Sequence, residues 1–280
     1  MADDLSTQHT AVEDSLVQQA AVATPTLPEA HRPPLYGKRF ALAYVLLAVL
    51  LGTAVGLAVV LADDGNGSSG GRAWSEWKPS SEGTTPRLKE ITDHVARKYR
   101  LDSGRQLVAV DAGPLAVQAQ DQAVSVTDIA VRSGTAEGDV VDVEGADGAW
   151  MFNMCGLGER CSISEGEAST ERHLLLRRQA LELALYSFHY VDDVQSVMTF
   201  LPPAPDAQAG TVLYLKRSDL KAQLDAPLGT SLLPLERMTP SDVPPTETDL
   251  IDTLTKPRLY TFDFQQSPTG GAVMILDPAV

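Results

Sequence analysis

The residues that could do chemistry are few. Cys155 and Cys161 bracket the run Gly-Leu-Gly-Glu-Arg and are the two cysteines of the chain. Cysteines this close can form a small disulfide loop wherever the surroundings are oxidising. Gly156 and Gly158 supply the backbone freedom that such a tight ring needs. So short a ring should yield less than the ~3 kcal/mol expected of a fifteen-residue loop, so the bond is expected to shape a loop more than to hold the fold. The spacing is not the C-x-x-C that lowers a thiol pKa in redox sites, and thiol-disulfide exchange stands as a third reading of function. A zinc site would need two more ligands, and His173 has no second His or Cys beside it. Neither a metal nor a cofactor is expected.

Nucleophilic catalysis needs a serine or cysteine in a strained elbow with a histidine and an acid in reach, and no G-x-S-x-G is present. Beyond residue 62 the histidines are His94, His173 and His189. Ser75-Glu-Trp-Lys78 matches S-x-x-K, but no K-T-G strand follows it, and the match reads as coincidence. Glu144 with Asp142, and Glu165 with Glu167, could serve a glycosidase only if a cleft separated two of them, which sequence does not show. Arg172, Arg177 and Arg178 form a basic cluster in this part of the chain. They are candidates for contact with an anionic polymer, against the ordinary alternative of ion pairs with neighbouring acids.

The elements that must carry these residues follow from periodicity. Leu88, Ile91, Val95 and Tyr99 recur at helical spacing over Pro86–Tyr99, with Thr84 or Thr85 as candidate caps. Ser169 is placed to cap a second helix from Glu171 to about Tyr190, with Leu174, Leu175, Leu181, Leu185 and Phe188 as its apolar face. Strands are expected at 106–112, 114–120 and 123–133, then as a pair within 139–152 around a Gly-Ala-Asp-Gly turn. Further strands are expected at 194–200, 211–217, 258–264 and 272–277, with Pro-rich connections between them and a hairpin at Ser267–Gly271. Two main helices among mostly antiparallel strands make an α+β domain over 74–280, with a candidate subdomain boundary near Gly166.

Before that domain, residues 40–62 contain no charged side chain. As a helix the run would reach ~34 Å, enough to cross a hydrocarbon core of ~30 Å. Arg32, Lys38 and Arg39 precede it and Asp63 and Asp64 follow it, which places the N-terminus in the cytoplasm and the C-terminal domain outside. The leader is too long for a cleaved signal peptide, and a single-pass cell-membrane anchor is expected. Ala48, Gly52 and Gly56 share one helical face on which two copies could pair within the bilayer. Residues 1–39 are Pro-rich and polar and read as a disordered tail, and 63–73 as a flexible linker.

A formal net charge of -15, with no basic stripe after residue 62, excludes nucleic acid as a partner. The sum of these readings is a non-enzymatic, membrane-anchored envelope protein whose outer domain binds another envelope protein or a polymer, in an accessory or sensor role. The alternative is a tethered envelope hydrolase with a site assembled from dispersed residues.

Overall fold

The computed structural model describes residues 73–280 apart from 120–121, 136–137, 206, 208, 268–269 and 280. The tail, the apolar run 40–62 with its Ala48, Gly52 and Gly56 face, and nearly all of the linker lie outside the described residues. Residues Gly71–Val280 form a unit of their own. Among the described residues no helix is long and apolar enough to cross a membrane.

Nine strands make one nearly closed, mostly antiparallel sheet: β1 (Ala109–Pro114), β2 (Ala116–Ala119), β3 (Gln122–Thr135), β4 (Gly138–Gly145), β5 (Ala149–Cys155), β6 (Ser196–Leu201), β7 (Thr211–Lys216), β8 (Leu259–Gln266) and β9 (Ala272–Pro278). The path runs β1-β5-β6-β7-β8-β9-β3-β2, and β4 joins β3 alone. The pairs β3–β9 and β5–β6 are parallel. Strands from both sides of Gly166 thus share the sheet.

Four helices accompany it: α1 (Thr84–Ala96), α2 (Thr170–Tyr190), α3 (Lys221–Leu224) and α4 (Pro245–Thr255). In α1, Leu88, Ile91 and Val95 are fully buried, as their three- and four-residue spacing demands. The helix stops at Ala96 rather than Tyr99, because the chain leaves it to bridge Tyr99 to Met238, with Arg100 N–H donating to the Met238 carbonyl at 2.8 Å. Its N-cap is Gly83, not a threonine. The expected cap of α2 is present: Ser169 Oγ accepts from Arg172 N–H at 3.1 Å. This helix is buried on nearly every side, because the sheet covers one flank while α1 and α4 cover others.

Two expectations are corrected. The strands within 139–152 exist, but β4 and β5 do not pair with each other; β4 follows β3 and β5 runs between β1 and β6. Gly148, at φ 70, directs the chain away, and its carbonyl accepts from Gln195 and Ser196, which starts the β5–β6 pairing instead. Helix α4 occupies a stretch where the sequence predicts a Pro-rich connection. Pro245 stands in its first turn, where a missing N–H costs nothing, and Ile251 and Leu254 bury against the body. The hairpin at Ser267–Gly271 joins β8 to β9, with Gly270 and Gly271 at φ 91 and 86.

The alternation of β6 and β7 divides the core in two. Val197, Leu213 and Leu215 face α2, in a cluster with Phe152, Leu181 and Phe188. Met198, Val212 and Tyr214 face the inside of the curled sheet, with Ile129, Met274 and Leu276.

Candidate binding site

Strand β3 is 14 residues long and binds three neighbours: β9 along one edge, and β2 then β4 along the other. Beyond β3, β4 has no further strand, so its outer row of N–H and C=O groups is a free edge among the described residues. Register sets what each face carries. Glu144 lies across from Ile129 and Asp142 across from Val131, on the face that turns into the curled sheet. Val143 and Val141, opposite Ala130 and Arg132, point the other way. Val140, Val141 and Val143 are 55%, 49% and 60% exposed, so both faces of this strand show apolar side chains to solvent. An uncovered, valine-rich edge is a template for pairing with another chain.

At the foot of the same strand opens a cleft of about 610 Å³. One wall comes from Glu144, Gly145 and Asp147, the other from Tyr214, Lys216, Ser218, Lys221 and Asp225. Glu144 is the hinge of the arrangement: one carboxylate oxygen accepts a very short hydrogen bond from the Tyr214 hydroxyl, the other an ion-paired bond from Lys216 Nζ at 2.6 Å. Burial pushes the Tyr214 hydroxyl well above its ordinary pKa, and the bond to the Glu144 carboxylate adds to the shift. The tyrosine is therefore a fixed donor. Arg217 also borders the cleft, but its guanidinium donates to the carbonyls of Phe188, Val191 and Val194 and closes the C-terminal end of α2.

No family model, curated protein or solved structure matches the chain. Function must be argued from its own residues.

The arginine cluster lies in the interior. Arg178, 1% exposed, donates to Glu247 at 2.5 and 3.3 Å, to the Tyr99 hydroxyl at 2.6 Å, to Glu182 at 3.3 Å and to the Leu233 carbonyl at 3.0 Å. Glu182 also receives Lys98 and Tyr99, each at 2.6 Å. Burial alone would raise the Glu182 carboxyl, but Lys98 and Arg178 outweigh it and hold the group below its ordinary value. Arg177 reaches Thr255 at 2.9 Å and Asp252 at 2.8 Å, tying α2 to α4. Arg172 donates to the Glu165 carbonyl at 2.8 Å. Arg177 and Arg178 join helices, Arg172 ties the loop before α2 to it, and all three guanidinium groups face the chain's own acceptors.

Two of the three histidines are held by aromatic stacking. His94 stacks on Trp77 at 3.8 Å and His189 on Trp74 at 4.0 Å, with Tyr186 edge-on to both tryptophans. The two tryptophans thus pack against the main core cluster. Burial lowers His94 to about 4, with Lys98 adding to the shift; burial likewise lowers His173 to about 4, with Arg177 adding. Ser75 of the S-x-x-K match bonds to the Trp77 carbonyl and to the Tyr190 hydroxyl.

Cys155 and Cys161 form the expected disulfide, with Cα atoms 4.5 Å apart. The loop needs both glycines: a Cβ at Gly156 would collide with the Cys161 and Ser162 carbonyl oxygens, and one at Gly158 with Ser162. Among the described residues no group of three or more His, Cys, Asp or Glu is arranged to hold a metal ion.

What sequence reasoning missed is the partnership of Glu144 with Tyr214 and Lys216. Glu144 was singled out only as a member of a carboxylate pair, and the alternation that faces it inward was visible. Its partner strand, about seventy residues later, was not.

Proposed function

We propose that the chain is a membrane-anchored envelope protein whose domain beyond residue 70 binds another envelope protein by strand addition to β4. The observation that supports this reading is the free edge carrying Val140, Val141 and Val143. An added strand gains main-chain hydrogen bonds along the edge, and alternate side chains set specificity.

Charge narrows the partner. On the inward face of β4, Asp142 stands exposed beside Val140, ahead of Glu144. A second copy of β4 would bring its own acids against these, and like charges across strands destabilise. The occupant that fits is an extended segment that sets valine-sized side chains against Val141 and Val143 and a Lys or Arg against Asp142. The anchor at 40–62 would hold the domain at the membrane surface, where such a partner is met at high local concentration.

The test compares capture from solubilised envelopes by the full chain and by a Val141→Lys/Val143→Lys variant. The substitution is made at two exposed positions, so the melting temperature should stay within about 2 °C, since surface changes of this kind fall within ~0.5 kcal/mol. One partner, identified by mass spectrometry, should be retained by the wild type and lost by the variant. Equal retention by both, or no partner retained by the wild type, overturns the strand-addition reading.

A further inference from the structure

The cleft at the foot of β4 has chemistry of its own. Its lining carries three acids, Glu144, Asp147 and Asp225, and three bases, Lys216, Arg217 and Lys221, so the charges cancel in a chain whose formal net charge is -15. The two signs also differ in how they are held. Glu144 and Lys216 are fixed on each other, and Arg217 is fixed on backbone carbonyls. Asp147, on the wall leading out of β4, has no hydrogen bond or ion pair among the described residues. Lys221, on the facing wall, is tied only to Asp225 at 2.9 Å in an exposed pair, the kind that contributes little. One wall thus offers a carboxylate without a partner and the other an ammonium held only in an exposed pair, beside the fixed Glu144–Lys216 ion pair.

We propose that this cleft binds a short zwitterionic peptide, its ammonium end at Asp147 and its carboxylate end at Lys221, with Ser218 offering a hydroxyl alongside. The cleft leaves room for more than a single amino acid: at ~30 Å³ per water in the liquid, about 610 Å³ is the space of some twenty waters. The volume falls within the roughly 300–1,000 Å³ of small-ligand sites. Both charges of the ligand are answered, and neither must be buried unpaired. The Glu144–Lys216–Tyr214 cluster ties the two walls together at their base and leaves the two outer groups to select.

The inference stands apart from strand addition, because Asp147 and Lys221 lie outside β4. Its test uses the full chain in detergent and tetra-alanine as the probe, followed by calorimetric titration. N-acetyl-tetra-alanine amide, without either terminal charge, is the comparison. Tetra-alanine should bind saturably, and the capped peptide about tenfold or more weaker. Asp147→Asn and Lys221→Met should each weaken tetra-alanine by about tenfold while leaving the melting temperature unchanged. Because the two variants remove opposite ends of the recognition, a peptide capped only at its amine should lose sensitivity to Asp147→Asn and keep it to Lys221→Met. No saturable binding up to about 10 mM, equal affinity for the capped peptide, or indifference to both substitutions would each overturn the proposal.

Discussion

Replacing Arg178 by leucine tests how the interior charges hold α2, α4 and the chain after α1 together. Arg178 is 1% exposed and, among the described residues, is the one cation on Glu247, a carboxylate 4% exposed. With the guanidinium gone, Glu247 keeps only the Leu233 N–H at 2.5 Å, whereas Glu182 keeps Lys98 and Tyr99. The uncompensated group is thus Glu247, and removing one partner of a buried pair costs about 3–5 kcal/mol. At about 2–4 °C per kcal/mol for a domain of roughly two hundred residues, the melting temperature should fall by about 6–20 °C. The partner change Glu247→Leu should also destabilise, because it leaves Arg178 with one fewer acceptor and Leu233 N–H unpaired. The double variant should lose less than the two singles combined, with a coupling of about 1–3 kcal/mol, since no lone charge then remains in the apolar interior. Urea denaturation of all four proteins gives the cycle directly. A single-variant loss below ~1 kcal/mol, or strict additivity, would refute the argument that these ions depend on each other.

Other expectations follow from the same geometry. His94 and His173 have folded pKa values of about 4 against an ordinary 6.5, so between those limits the unfolded chain takes up protons that the folded one refuses. Stability should therefore fall as pH drops from 6.5 toward 4. Glu182, held below its ordinary value of 4.5, should add a further loss at more acid pH, as protons reach its ion-paired carboxylate. Melting temperatures across this range check the sign, and His173→Leu should flatten the upper part of the slope. Mass spectrometry without reductant should find Cys155 joined to Cys161, and reduction should cost less than the ~3 kcal/mol of a fifteen-residue loop. A protease added outside intact cells should remove the domain beyond residue 70 while sparing residues 1–39; protection of the C-terminus would reverse the proposed topology.

Local chemistry in the sequence was a good guide wherever the structure answers to local rules. The α2 cap at Ser169, the apolar spacing of α1, the glycine-built loop between the cysteines and the β8–β9 turn all depend on residues within a few positions of one another. What depends on distant partners was not legible. For Arg177 and Arg178 the sequence leaves polymer contact and ion pairing both open, because nothing in it says that Tyr99, Glu182, Asp252 and Glu247 meet them inside. Strand β5 looked like the natural partner of β4, as adjacent strands often pair. The outcome turned on Gly148, whose carbonyl engages Gln195 and Ser196, some forty-seven residues on. Helix α4 escaped notice because it is short and opens on two prolines, with few apolar positions to show a period. The candidate site suffered the same limit: alternation in 138–145 showed which side chains share a face, but only the sheet order shows that no strand covers its edge.

If β4 is the surface on which a partner protein docks, a probe on that strand should reach the partner. The most direct test is photo-crosslinking in living cells, with a benzophenone amino acid placed at Val141. A second chain carries the same probe at Lys89, an exposed position on α1. Docking on β4 should give a discrete, light-dependent adduct with one envelope protein from Val141 and none from Lys89. No adduct at Val141, or the same adducts from both positions, would contradict it.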